Sequence, residues 1–221
     1  MKSKSSVKSI ALIAMFCALS FVAVQLGKII PNVAGFLSYD PKDAVIAIAG
    51  FLFGPVYAVV IPLVVSLVEM VTISETGPIG CLMNFLSTFS FALPAALLYR
   101  KIKDYKGAVL SLGCGIFVMT CCMLLWNWVV TPLYMKVDRE IVEGMLLPVF
   151  LPFNVVKGGL NAALTLLLYK PLVTALRRAR LIPPSEKQGE GKRFHPAFLL
   201  IAAGLLTVFT LLFLWIAGVI G

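Results

Sequence analysis

Charge is what this chain has least of. Only 13% of its 221 residues are charged, against 60% hydrophobic, and the mean hydropathy is +0.99. A soluble domain carries about a quarter charged residues and is about half apolar. A water-soluble globule is therefore excluded, and an integral membrane protein is expected. Histidine is nearly absent: the one copy, His195, lies in a polar stretch. None of the five cysteines (Cys17, Cys81, Cys114, Cys121, Cys122) has a histidine at metal-ligand spacing. They read as small packing residues in apolar helices, and no metal is expected. There is no Walker A sequence, no H-E-x-x-H and no G-x-S-x-G. No acids pair in the middle of an apolar run, and Glu69 has no obvious partner, so a proton relay is hard to build. These absences argue against an enzyme, a resident cofactor and a self-powered ATPase. They leave room for a capture protein whose energy comes from elsewhere.

The apolar runs set the architecture. A spanning helix needs about 20 apolar residues. The runs fall at 9–30, 43–55, 56–73, 81–99, 107–134, 146–169 and 197–220. The first is too long for a signal peptide and no cleavage-like site follows it. The second and third are short and separated by Gly54-Pro55, a helix-breaking pair. The expectation is an all-α membrane protein: a six-helix unit over 1–176, a basic cytoplasmic linker over 177–196, and an added seventh span over 197–221.

Basic residues orient it. With the N-terminus inside, the cytoplasmic segments hold Lys2, Lys4 and Lys8, then Arg100, Lys101, Lys103 and Lys106, then Lys170, Arg177, Arg178, Arg180, Lys187, Lys192 and Arg193. That is fourteen of the nineteen, whereas only Asp104, Glu186 and Glu190 of the ten acids lie there. The bias follows the positive-inside rule. It accounts for the net charge of +9 without a nucleic-acid partner. The last run has no charge, Asn or Gln and reads as a lipid-facing addition.

The polar residues that interrupt the runs gather on the outer side. They are Glu69, Asn84, Asn127, Asn154, Lys157 and Asn161, with "FLSYDPKDA" (36–44) between the first two runs. Polar residues inside membrane segments face a bundle interior or a cavity, so this distribution predicts a pocket open outward and closed below. In "LPFNVVKGG" (151–159), a lysine in lipid would cost about 2.5–3.5 kcal/mol. Asn154, Lys157, Gly158 and Asn161 recur at i, i+3, i+4 and i+7, one helix face. With Pro152 at the first helical position, Lys157 sits about 7–8 Å inside at 1.5 Å per residue. Gly158 and Gly159 make room for a neighbouring helix or a flat ligand. Asn127, Thr131 and Tyr134 share a face on the fifth run, beside Trp126 and Trp128.

Each member also has a plainer reading. The tryptophans suit an interfacial belt, Asn84 and Asn161 suit interhelical hydrogen bonding, Lys157 could snorkel, and Asp40 and Asp43 could be a solvated loop and a helix cap. Ala11, Ala14 and Ala18 form a small-residue face suited to close packing within the bundle. The shared leaflet is what favours a pocket.

"FLSYDPKDAVIAIAGFLFGPVYA", "GPIGCLMNFLS", "WNWVVTPLY" and "PFNVVKGG" together resemble the substrate-binding subunit (S-component) of energy-coupling factor vitamin transporters, most closely the riboflavin-specific subfamily, over roughly residues 8–176. The resemblance implies capture of riboflavin from outside and association with a membrane T-component and two cytoplasmic ATPases. Their ATP hydrolysis would reorient the subunit in a bacterial plasma membrane. Carried over by motif, Asn127 and Lys157 would bond the flavin or its ribityl chain, and Leu37, Tyr39 and Asp40 would lie in a lid. Asn84 and Asn154 would be second contacts, beside the aromatic surface of Tyr134. The Ala11, Ala14 and Ala18 face would meet the T-component. Flavin mononucleotide, another vitamin, or a non-transport assembly role remain the alternatives. The seventh run departs from the family pattern and is expected not to touch the pocket residues.

Overall fold

A computed structural model describes residues 2–74, 76–182 and 196–219. The chain is helical: α1 (Lys2–Gly27), α2 (Lys42–Phe53), α3 (Tyr57–Thr72), α4 (Gly77–Lys101), α5 (Tyr105–Met135), α6 (Arg139–Met145), a π-helical turn (Leu146–Phe150), α7 (Leu151–Arg178) and α8 (Pro196–Ile216). The all-α membrane class expected from composition holds. Among the described residues, four helices are long and apolar enough to cross a membrane: Val7–Gly27, Gly77–Lys101, Tyr105–Met135 and the continuous Arg139–Arg178.

The boundaries follow local chemistry. Gly54 ends α2 at φ 102°, a backbone conformation that suits glycine, and Pro55 follows. Asp104 caps α5 by accepting from Gly107 N at 2.6 Å. The sixth run begins earlier than expected, because the polar α6 leads into α7 through the π turn. Pro152 stands in the first turn of α7, as the sequence predicts. Asn154 Nδ2 donates to Phe150 O at 2.7 Å in that region. α7 runs on to Arg178, past the expected domain edge at 176. Of the expected linker, residues 183–195 lie outside the described residues.

At 12 residues, α2 is only about 18 Å long, too short for a bilayer core of about 30 Å. It is the buried centre of the bundle: Ala44, Ile46, Ala47, Ile48 and Ala49 are all inaccessible, packed among α1, α3, α4 and α7. Small residues allow that closeness. A Cβ on Gly50 would come within 3.0 Å of Ala96 Cβ, and one on Gly115 within 2.5 Å of Phe91 O.

The two ends of the bundle differ. At one end the aromatic rings of Phe51, Tyr99 and Tyr169 cluster, beside the basic ends of α4 and α7. At the other, the 28–41 segment folds across the top. Lys28 Nζ donates to Ile73 O at 3.3 Å, and Phe36 meets Phe150 edge-on at 6.0 Å.

α8 is not a bare lipid-facing span. Its exposed side carries Leu205, Val208, Leu211 and Trp215, but Ala202 and Phe213 are buried against the bundle.

Candidate functional site

The 28–41 segment and four helices bring five charged side chains together. Lys42, in the first turn of α2, places Nζ 2.8 Å from Glu69 Oε1 of α3 and 3.2 Å from Asp40 Oδ2. Glu69 Oε2 also accepts from Asn84 Nδ2 of α4 at 2.9 Å. On the next turn of α4, Ser87 Oγ accepts from Lys157 Nζ of α7 at 3.2 Å, and Thr88 Oγ1 donates to Asp43 Oδ1 at 2.6 Å. Lys157 Nζ lies 3.7 Å from Asp43 Oδ2 and 3.9 Å from Asp40 Oδ2. Asn161 completes the frame: its Oδ1 accepts from Ala44 N, and its Nδ2 donates to Asp40 O and Lys157 O.

Lys42, Asp43, Glu69 and Lys157 are all at most 6% exposed. Buried charges persist only when paired and hydrogen-bonded; each charge here faces an opposite one, and of the Asp43 oxygens Oδ1 is hydrogen-bonded while Oδ2 has only the Lys157 ammonium at 3.7 Å. Three carboxylates face two ammoniums, so the cluster carries no excess positive charge. Burial pushes the Asp40 carboxyl up, but Lys42 and Lys157 outweigh it and hold the group below the usual carboxylate range. Burial, with Asp43 and Asp40 nearby, pushes the Tyr39 phenol well above its ordinary range. Its hydroxyl stays a donor, and it is buried without a hydrogen-bond partner.

The expected site residues divide. Asp40, Asn84 and Lys157 belong to the charged network. Tyr39 and Leu37 pack in an apolar cap with Val33, Phe153, Val156 and Leu160, next to it in sequence. Asn127 and Asn154 are buried but bonded to their own helices: Asn127 Nδ2 to Met123 O, with Thr131 Oγ1 donating to Asn127 Oδ1 at 2.8 Å. Tyr134, in the last turn of α5, is 44% exposed.

Three further expectations are corrected. Glu69 has partners in Lys42 and Asn84. Asp43 is neither solvated nor a cap: it is fully buried, and Pro41 at the start of α2 receives no side-chain cap. The α1 alanines do not pack inside the bundle, because Ala11, Ala14 and Ala18 are exposed along α1. Lys42, Asp43, Ser87 and Thr88 are the cluster members that sequence reasoning left out of the site. The adjacent Lys-Asp pair at the head of an apolar run was the available signal.

α8 also reaches this region. Phe213 packs on Tyr39 with ring centroids 5.8 Å apart. The expectation that the added helix leaves the site residues untouched is therefore corrected.

Known proteins share this architecture. Residues 8–169 match the family model of the ECF transporter, substrate-specific component. The riboflavin transporter RibU of Staphylococcus aureus (strain TCH60) is 30% identical over 177 residues, 77% of this chain and 93% of that one. The riboflavin transporter FmnP of Bacillus subtilis (strain 168) is 25% identical over 187 residues, 79% of this chain and 98% of that one. A solved S component of a bacterial ECF transporter superposes with a TM-score of 0.64 at 31% identity, covering 80% of this chain and all of that one. The chain is a membrane protein of the ECF transporter substrate-specific component family.

Proposed function

We propose that this protein captures riboflavin at the outer face of a bacterial plasma membrane and delivers it inward as the substrate-binding subunit of an ECF-type transporter. The observation that carries the reading is the likeness to two riboflavin transporters along nearly their whole lengths, 93% and 98%. The site chemistry agrees. Isoalloxazine is flat and largely apolar, with acceptor atoms on one edge. It suits apolar walls with a few placed donors, which the 28–41 cap, Lys157, Asn127 and Asn154 supply.

The N-terminus lies inside, as the basic residues direct. A membrane T-component and two ATPases supply the energy, and the T-component docks on the exposed Ala11, Ala14 and Ala18 face of α1. A charged cluster paired within the bundle suits reorientation as a rigid body, since no ammonium or carboxylate need meet lipid.

The balance of three carboxylates against two ammoniums favours neutral riboflavin over the phosphorylated mononucleotide. Purified protein titrated with each flavin, read by quenching of flavin fluorescence, should bind riboflavin at least about tenfold more tightly, an electrostatic difference near 1.4 kcal/mol. Equal or stronger binding of the mononucleotide would overturn the preference. No binding of either would overturn the cargo.

A further inference from the structure

The family match ends at residue 169, well before α8 begins at Pro196, yet α8 is packed with specific complementarity. Phe209 lies over Gly159 of α7, where even an added Cβ would run into its ring. One turn further on, Phe213 is 3% exposed and seated on Tyr39. Leu206, Ile216 and Ala217 join Ile30 and Leu37 in the same apolar cluster. Nothing polar on α8 reaches the charged network: Thr207 and Thr210 bond carbonyls of their own helix. Among the described residues, the contacts of α8 nearest the site are to the 28–41 segment and α7.

We propose that α8 is a brace on the cover of the site, with Phe213 acting through Tyr39 as a positioning residue that sets how readily the 28–41 segment opens. This rests on reading that segment as the cover of a solute site. Tyr39 is held by its ring alone, since its hydroxyl is buried without a partner, so the ring contact with Phe213 is what α8 can withdraw or supply. An aromatic pair of this kind contributes enough to shift an opening equilibrium severalfold.

The test uses the full chain, purified and compared with Phe213→Ala, Phe213→Leu and, on the exposed side of α8, Leu211→Ala. Riboflavin release is followed by recovery of fluorescence, and amide hydrogen exchange is followed over 28–41 without ligand. Phe213→Ala should release riboflavin about 3- to 10-fold faster and raise exchange in 28–41 while α2 and α4 stay protected. Phe213→Leu should recover part of the slow release, and Leu211→Ala should match the unaltered protein. Unchanged release and exchange in Phe213→Ala, or exchange rising equally through all helices, would overturn the brace. If the unaltered protein does not bind riboflavin, the cargo reading fails, and exchange over 28–41 alone decides the role of α8.

Discussion

Lys42 and Lys157 are both buried lysines, but they are held in different ways. Lys42 Nζ has carboxylate oxygens at 2.8 and 3.2 Å. Lys157 Nζ has one hydrogen bond, to Ser87 at 3.2 Å, and carboxylates only at 3.7 and 3.9 Å. On the proposed function, the first is structural and the second, held by longer contacts, is the one that meets the ligand. Lys42→Met should leave Glu69 and Asp40 facing one another and cost about 3–5 kcal/mol, seen as a large fall in thermal midpoint in detergent; an unchanged midpoint would contradict the assignment. Lys157→Met should lower the midpoint less and weaken riboflavin binding about tenfold or more. Asn127→Ala should weaken binding with the midpoint nearly kept, while Tyr134→Ala, on the surface, should bind normally. Lys157 was legible because helical spacing places Asn154 and Asn161 on its face. The Lys42 network was not, because Glu69 lies 27 residues away on another helix and no local pattern encodes that pairing.

Among the elements, Gly54-Pro55 was enough to separate α2 from α3, and the seven apolar runs all became helices. Three features escaped. α2 reads as a short span, but its alanines mark it as the buried centre, which hydropathy cannot tell from lipid exposure. The continuous helix that ends in α7 begins at Arg139, before the apolar run at 146, because "REIVEGM" is polar and gives no apolar signal. α8 is apolar all round, so its packed side was invisible until Gly159 and Tyr39 supplied the partners. Gly159 gives that packing a direct test. Gly159→Ala should force Phe209 aside and destabilise the protein by about 1–3 kcal/mol. Gly144→Ala, where a Cβ meets nothing within 4 Å, should be neutral or slightly stabilising, since alanine favours a helix over glycine. Equal midpoints for the two variants would mean that α8 does not seat on α7 as described.

For the whole molecule, the decisive property is the separation of its surfaces. Charge is gathered inside one end, the α1 face with Ala11, Ala14 and Ala18 is exposed, and α8 covers the α7 side. On the proposed function, capture and energy coupling use different faces. Replacing Ala14 and Ala18 together by Trp should leave riboflavin binding intact and abolish uptake by cells that depend on this transporter; loss of binding would mean the face serves the bundle itself. The central claim, that the covered end of this bundle holds riboflavin, is tested most directly by isolating the protein from its native membrane and identifying what comes with it. The account predicts a yellow protein showing the flavin absorption bands, whose extracted ligand has the mass of riboflavin and is lost from Lys157→Met. A colourless protein that neither carries a flavin nor quenches added riboflavin would contradict it.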